Sequence, residues 1–386
     1  MGENGISNTG GHVVENRDKI KVLQLITRSD WAGGQKVLYS IVYGLKKYYP
    51  DKFEVEVACG PENGQLIEEL KKINVKVNVI SDLMREISPL KDLRAYFQIK
   101  KLIRNEKYDV VHCHSSKAGF LGRIAAKRSG VGNIIYTVHG WWGIEQYKGL
   151  KGKLFILAER FAAKFCSKIV LLCHRDLLKA REWKIGKDSQ YVIIPNALIP
   201  QPPAPKGKLR KELGIPENIK IVGNVARLDP QKNPIRFLEV TKQVLKERDD
   251  VIFVWIGGSI VDDSYGKLVQ RWLDEHPDVA KNVHFLPFRK DAVELMADFD
   301  VFMLTSDSEG MPLVVLEALS QGIPVVSTDV GCVGEINSIV STTNTFDDLA
   351  KLVTRTLATK NKTPSFLNNQ ADKYREFLQK YLDIYG

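Results

Sequence analysis

Short apolar runs rich in β-branched residues alternate along the chain with longer stretches whose apolar residues recur at helical spacing. In the first half the runs are KVLQLIT (21–27), FEVEVAC (53–59), VKVNVI (75–80), DVVHCH (109–114), NIIYTV (133–138), KIVLLC (168–173) and YVIIP (191–195). Segments such as QKVLYSIVYGLKKYY (35–49) and KGKLFILAERFAAKF (151–165) lie between them. Unbroken apolar strands separated by amphipathic helices predict a parallel sheet covered on both faces.

The alternation stops at PNALIPQPPAPKGK (195–208), a proline-rich segment that suits a semi-rigid linker. It restarts with IKIVGNVA, VIFVWIG, NVHFLPF, DVFMLTS and IPVVSTD, with helices predicted over 232–248, 264–276, 290–297 and 312–321. A last amphipathic pattern carries Phe366, Tyr374, Phe377, Leu378, Tyr381 and Leu382. The expected organisation is a disordered leader (1–18), an N-terminal domain (19–196), a linker (197–208), a second domain (209–363) and a closing helix (364–386) that packs back on the first domain. Each domain reads as a doubly wound α/β sheet, in which ligands are sought beyond the carboxyl ends of the strands.

Charge divides the halves. Residues 1–196 hold 33 Lys and Arg against 20 Asp and Glu (+13), whereas the remainder hold 23 against 26 (−3). A basic domain beside a near-neutral one points to an anionic partner for the first: lipid headgroups, a pyrophosphate-linked substrate or nucleic acid. No apolar run reaches the length of about 20 residues that crosses a bilayer, and the leader lacks the apolar core of a signal peptide, so a cytoplasmic protein is expected. The cysteines (Cys59, Cys113, Cys166, Cys173, Cys332) are odd in number and scattered, which fits reduced thiols. Strand alternation puts Cys113 on the face opposite His112 and His114, which argues against a metal site there.

The chemistry-bearing residues cluster in a few loops. In SDSEGMPLVVLEALSQGIPVVSTDVG (306–331), Glu309 closes a loop after a strand, Gly310 permits close backbone approach and Pro312 can open a helix. Glu317 lies about two turns further in, so the two carboxylates could grip a polyhydroxylated ligand at two points. GNVARLDPQKNP (223–234) presents Arg227 and Lys232, two cations suited to charge on a departing diphosphate. WAGGQKVLY (31–39) carries Gly33 and Gly34, which give backbone freedom near a ligand, and TVHGWWG (137–143) places His139 just after a strand.

These residues resemble the family-four retaining GT-B glycosyltransferases. The match is to Glu-Gly-[Phe/Met]-[Gly/Pro]-Leu-x3-Glu-Ala followed by Gly-x-Pro-Val-Val, to Gly-Arg-Leu-x-x-x-Lys with Ala226 in place of the glycine, and, with one residue fewer before Lys36, to Gly-Gly-x-x-[Arg/Lys]-Val. The segment 112–140 is similar to members that build lipid-linked glycans, capsules and O-antigens. The resemblance implies two Rossmann-like domains facing each other across a cleft. It implies a donor site of Gly33, Gly34, Arg227, Lys232, Glu309, Gly310, Met311, Pro312, Leu313 and Glu317, with Glu309 on the sugar and Glu317 on the ribose. His139, Glu309, Arg227 and Lys232 take the catalytic roles, and His114, Ser116 and Lys117, with Arg123 nearby, lie on the acceptor side. The implied reaction moves a hexosyl or N-acetylhexosaminyl unit from a UDP-sugar to a glycan or polyprenyl-diphosphate-linked acceptor, with no cofactor, no metal and no nucleic acid, at an anionic membrane surface. The helix at 150–168, apolar at Leu154, Phe155, Leu157, Phe161 and Phe165 among four lysines, could rest on that surface or pack on the sheet. Cys332 departs from the family by replacing the second glycine of a Gly-Gly pair.

Two rivals follow from the same residues. A UDP-sugar 2-epimerase shares the architecture, but the two spaced glutamates argue against it. A non-catalytic sugar-nucleotide-binding protein would not need Arg227, Lys232, Glu309 and Glu317 together. No GxGxxG follows the first strand, which disfavours a dinucleotide-dependent dehydrogenase.

Overall fold

The computed structural model describes residues 19–61, 64–258, 264–336, 340–359 and 369–386. The expected leader, 1–18, lies outside them. The N-terminal sheet contains β1 (Ile20–Ile26), β2 (Phe53–Cys59), β3 (Lys76–Val79), β4 (Val110–His114), β5 (Asn133–Thr137), β6 (Lys168–Leu171) and β7 (Tyr191–Ile193), in the spatial order 3-2-1-4-5-6-7. The second sheet contains β8 (Lys220–Val225), β9 (Val251–Ile256), β10 (Val283–Leu286), β11 (Val301–Leu304), β12 (Val325–Ser327) and β13 (Val340–Thr342), in the order 10-9-8-11-12-13. Every pairing among these strands is parallel. The strand order reverses in each sheet between β1 and β4 and between β8 and β11, the place where doubly wound sheets bind ligands. The two-domain GT-B fold expected from the sequence is present.

Burial follows the pattern of the runs. Both faces of β1 and β4 are covered: Val22 and Ile26 belong to one apolar core, while Leu23, Leu25, Val111 and Cys113 belong to another on the opposite face. Helix Gly33–Tyr48 fills the first core with Val37, Leu38, Ile41, Val42 and Leu45. The C-terminal helix, Gln370–Tyr385, lies against it through Tyr374, Phe377, Leu378, Tyr381, Leu382 and Tyr385. Gly44 lets the two helices approach, because a Cβ there would lie 2.4 Å from Leu378 Cδ2.

The structure corrects three expectations. Cys173, at the end of the run that forms β6, and Cys332, after β12, are joined by a disulfide, so the thiols are not all reduced; Cys59, Cys113 and Cys166 are free and buried. Residues 159 apart in sequence meet at the domain interface, which the spacing of the cysteines does not reveal. Arg123 does not reach the cleft. It is fully buried, paired with Glu159 at 2.6 Å and stacked over Tyr136 at 4.0 Å. Finally, β13 and the helix Phe346–Ala358, which none of the predicted strands and helices cover, complete the second sheet.

Candidate active site

Two loops of the second domain are laced together to form one wall of the cleft. After β8 the chain turns through Arg227 to Lys232; after β11 it runs from Thr305 to Met311. Gln231 Nε2 donates to the Ser308 carbonyl at 2.9 Å, the Asp307 amide donates to the Gln231 carbonyl at 2.8 Å, and Thr305 Oγ1 donates to the Lys232 carbonyl at 3.2 Å. Asn233, held at φ 50°, caps the helix Pro234–Val244 by accepting from the Arg236 amide, a conformation asparagine tolerates better than most residues. This frame puts Lys232 Nζ 2.6 Å from Glu309 Oε1, which also accepts from Ser306 Oγ at 2.6 Å. Glu309 is buried, so its charge depends on those two donors. Arg227 pairs with Asp229 at 3.0 Å.

Glu317 lies in the helix Leu313–Ser320, which starts after Pro312 rather than at it, because Pro312 has the extended backbone of an N-cap. Its carboxylate is bound by Lys36 Nζ, from the N-terminal domain, at 2.7 Å. Met311 and Leu313 are buried.

The opposite wall comes from the N-terminal domain. Gly33 and Gly34 open the helix Gly33–Tyr48, and neither has a positive φ. A Cβ on Gly34 would lie in ordinary van der Waals contact with the His139 ring at 3.5 Å, and Gly33 faces open space. His139 follows β5 and lies directly against the other domain, since a Cβ on Gly310 would sit 2.4 Å from the His139 carbonyl oxygen. Gly310 therefore permits the two walls to touch. Ser308 Oγ donates to Glu145 Oε2 at 2.6 Å across the same seam, and Glu145 is also paired with Lys179. Further along the seam, Glu335 accepts from the amides of His174 and Arg175 at 3.0 Å each, at the start of helix His174–Glu182, and Arg175 meets Asp329 at 3.0 Å.

Residues 205–373 match the family described as Glycosyl transferases group 1, and residues 31–201 match Glycosyltransferase Family 4. The chain is 34% identical over 288 residues, 72% of each protein, to the UDP-Gal:alpha-D-GlcNAc-diphosphoundecaprenol alpha-1,3-galactosyltransferase of Escherichia coli. This chain is a family-four GT-B glycosyltransferase. The glycosyltransferase is also 25% identical over 346 residues, 82% of this chain and 87% of the other, to the N,N'-diacetylbacillosaminyl-diphospho-undecaprenol alpha-1,3-N-acetylgalactosaminyltransferase of Campylobacter jejuni. Among solved structures, Anabaena HepE in complex with UDP and glucose superposes with a TM-score of 0.80 at 20% identity, over 94% of this chain and 98% of that one, and shares the fold.

Ser116 and Lys117, expected on the acceptor side, line a cavity of about 570 Å³ with Arg28, Phe120, Trp141 and Trp142. Lys117 is paired with Asp92 at 2.6 Å. His114, expected to face this cavity, is instead fully buried, with its Nδ1 2.9 Å from His139 Nε2. The period of two along β4 directs His112 and His114 to the face covered by the C-terminal helix and Cys113 to the other. Lys36, Glu145, Ser306 and Ser308 were not singled out in the sequence; only Lys36 had a signal, as the basic residue of the Gly-Gly motif. Among the described residues the Cys173, Asp176 and Cys332 side chains form a cluster of metal-ligand type, but its sulfurs are tied in the disulfide. Burial raises the Asp176 carboxyl to about 7, which suits its position 3.7 Å from a Cys332 sulfur that carries no proton.

His112 and His114, fully buried, and His139 beside them weigh against stability in acid. Burial lowers His112 and His114 well below the ordinary 6.5, and lowers His139 to about 4. The unfolded chain binds protons below 6.5 that the fold excludes, so these groups cost nothing above that pH and destabilise increasingly as pH falls. The cost is about 1.4 kcal/mol per unit for each histidine. The melting temperature is expected to fall from pH 7 to pH 5, and His112→Asn should flatten part of that fall; a midpoint equally acid-sensitive in the variant would refute the assignment to His112.

Proposed function

We propose that the enzyme transfers a hexosyl or N-acetylhexosaminyl unit, with retention, from a UDP-sugar to a hydroxyl of a polyprenyl-diphosphate-linked glycan in cell-surface polysaccharide synthesis. The observation that carries this is the pairing of Lys232 with buried Glu309 on one wall, directly opposite His139 on the other. Breaking the anomeric bond leaves positive charge on the sugar and negative charge on the diphosphate. Lys232 and Arg227 answer the negative charge, Glu309 lies by the reacting sugar, and Glu317 receives the ribose in place of Lys36. The aromatic cavity beside Ser116 and Lys117 takes the acceptor. The name of the Escherichia coli relative makes UDP-galactose, with N-acetylglucosaminyl-diphosphoundecaprenol as acceptor, the first pair to test. Transfer, with an α-configured product by NMR, supports the reading; failure of every UDP-sugar with lipid-linked acceptors would remove it.

No cofactor enters this reading, and the two cations take the place of a metal. EDTA is expected to leave turnover unchanged. Loss of activity with EDTA and recovery with manganese would overturn metal independence.

We place the enzyme peripherally on the cytoplasmic face of an anionic membrane. Helix Gly149–Ala163 exposes Leu150, Leu154, Leu157 and Phe161 in one stripe, flanked by exposed Lys148, Lys151, Lys153 and Lys164. Helix Pro89–Glu106 exposes Leu90, Leu93 and Phe97 beside Lys91, Arg94 and Lys101, and both helices pack against the helix Ser116–Arg128. Apolar stripes edged with cations suit the boundary of an anionic bilayer. No described helix is long and apolar enough to cross it. Sedimentation with phosphatidylglycerol vesicles is expected to exceed that with phosphatidylcholine and to weaken with salt, and Leu154→Ser with Leu157→Ser should reduce it. Equal binding to both lipids would remove the electrostatic part.

A further inference from the structure

Behind His139, five buried side chains form a continuous polar path that runs beneath the C-terminal helix. His139 Nε2 lies 2.9 Å from His114 Nδ1, and His114 Nε2 lies 2.8 Å from Gln24 Oε1. Gln24 Nε2 donates to the Tyr385 hydroxyl at 2.7 Å, which is 2.6 Å from His112 Nδ1, and His112 Nε2 is 2.7 Å from Thr137 Oγ1. Gln24, His112, His114 and Thr137 have no exposed surface and Tyr385 almost none. The strand register brings them together: Gln24 on β1 pairs with His112 on β4, and His114 pairs with Thr137 on β5. The C-terminal helix supplies Tyr385 and covers the group with Tyr381, whose ring lies 5.6 Å from that of His112.

The amide makes the path directional. With Gln24 Nε2 donating to Tyr385, Gln24 Oε1 must accept, so His114 carries its proton on Nε2. His114 Nδ1 is then a lone pair, and His139 must donate from Nε2. His139 Nδ1 is left as the acceptor on a ring that lies beside Gly34. Tyr385 completes the direction by donating to His112 Nδ1, with His112 Nε2 donating to Thr137.

We propose that Tyr385, acting through Gln24 and His114, is a positioning residue that holds His139 as the Nε2–H tautomer and so presents Nδ1 as an acceptor to a hydroxyl of the transferred sugar. This rests on the glycosyltransfer reading above. It joins the C-terminal helix to the reacting centre through hydrogen bonds rather than through packing alone. A tautomer fixed by a buried partner needs no rearrangement when the sugar arrives, so its effect falls on turnover more than on nucleotide binding.

Tyr385→Phe removes only the hydroxyl and keeps the buried ring. The test has two arms: side-chain ¹H–¹⁵N spectra of the imidazoles, which need no substrate, and kinetics with UDP titration. The expected result is a single Nε2–H form of His139 in the parent and a tautomer mixture in the variant. Turnover should fall about tenfold with UDP affinity little changed, as for a loss of general positioning, while the melting temperature drops by the few degrees that an unpaired Gln24 amide and His112 nitrogen cost. Gln24→Leu should give the same tautomer change. A parent His139 protonated on Nδ1, or a variant with unchanged tautomer and turnover, would overturn the proposal, as would equal losses of UDP affinity and turnover that follow the melting temperature. If the parent transfers no sugar, the functional reading fails while the spectra still decide the path.

Discussion

Lys232→Ala is expected to lower turnover by about 10²- to 10³-fold, the scale seen when one preorganised charge-stabilising group is removed from a reacting centre. Lys232 is held rather than free: its ammonium lies 2.6 Å from Glu309 Oε1, and its backbone is fixed by Asp229 Oδ1 at 3.1 Å and by Thr305 Oγ1 on its carbonyl. The substitution also leaves Glu309 buried with only the Ser306 hydroxyl as partner, at a stability cost of about 1–3 kcal/mol. Lys232→Gln separates the two effects. It keeps a donor for Glu309 and should recover most of the stability, but it lacks the charge and should not recover turnover. Affinity for UDP should fall with turnover in both variants, because the diphosphate is in the product as well as in the transition state. A loss of turnover below about tenfold in Lys232→Ala would take Lys232 out of that role.

What could be read from the sequence was local. The central strands are covered on both faces and therefore appear as unbroken apolar runs, and the loops after β8 and β11 carry their charged residues within a few positions of one another. β13, only three residues long and partly buried, leaves no such run. The contacts that close the cleft join positions far apart: Lys36 with Glu317, Ser308 with Glu145, Cys173 with Cys332. No periodicity relates these positions, and only the docking of two independently folded sheets puts them side by side.

His114 and Arg123 fail as acceptor residues for a related reason. Their neighbours in sequence, Ser116 and Lys117, do line the cavity, but a strand alternates its faces and a helix turns. His114 therefore points to the face under the C-terminal helix. Arg123 points inward from the helix Ser116–Arg128, where Ala118, Gly119, Gly122, Ala125 and Ala126 are also buried. Polar type suggested a surface role, while the position in the helix decided burial.

The second large effect concerns that arginine. Arg123 is fully buried, donates to Glu159 at 2.6 Å and to the Gly119 carbonyl at 2.6 Å, and covers the face of Tyr136. Tyr136 and Glu159 line the cavity beside Ser116 and Lys117, so Arg123 supports its wall from behind. Taking two charges out of water is expensive, and the pair offsets that cost only while both members are present. Arg123→Leu is therefore expected to destabilise the protein by about 3–5 kcal/mol, because it strands the Glu159 carboxylate in a buried site. The double variant Arg123→Leu with Glu159→Leu removes the stranded charge and should recover most of the loss, since an apolar pair of similar volume often replaces a buried ion pair without penalty. Urea unfolding midpoints of the three proteins decide it, provided the slopes stay equal. If the double variant is as unstable as Arg123→Leu, the loss comes from the contacts with Tyr136 and the Gly119 carbonyl, and the ion pair is not what holds the wall.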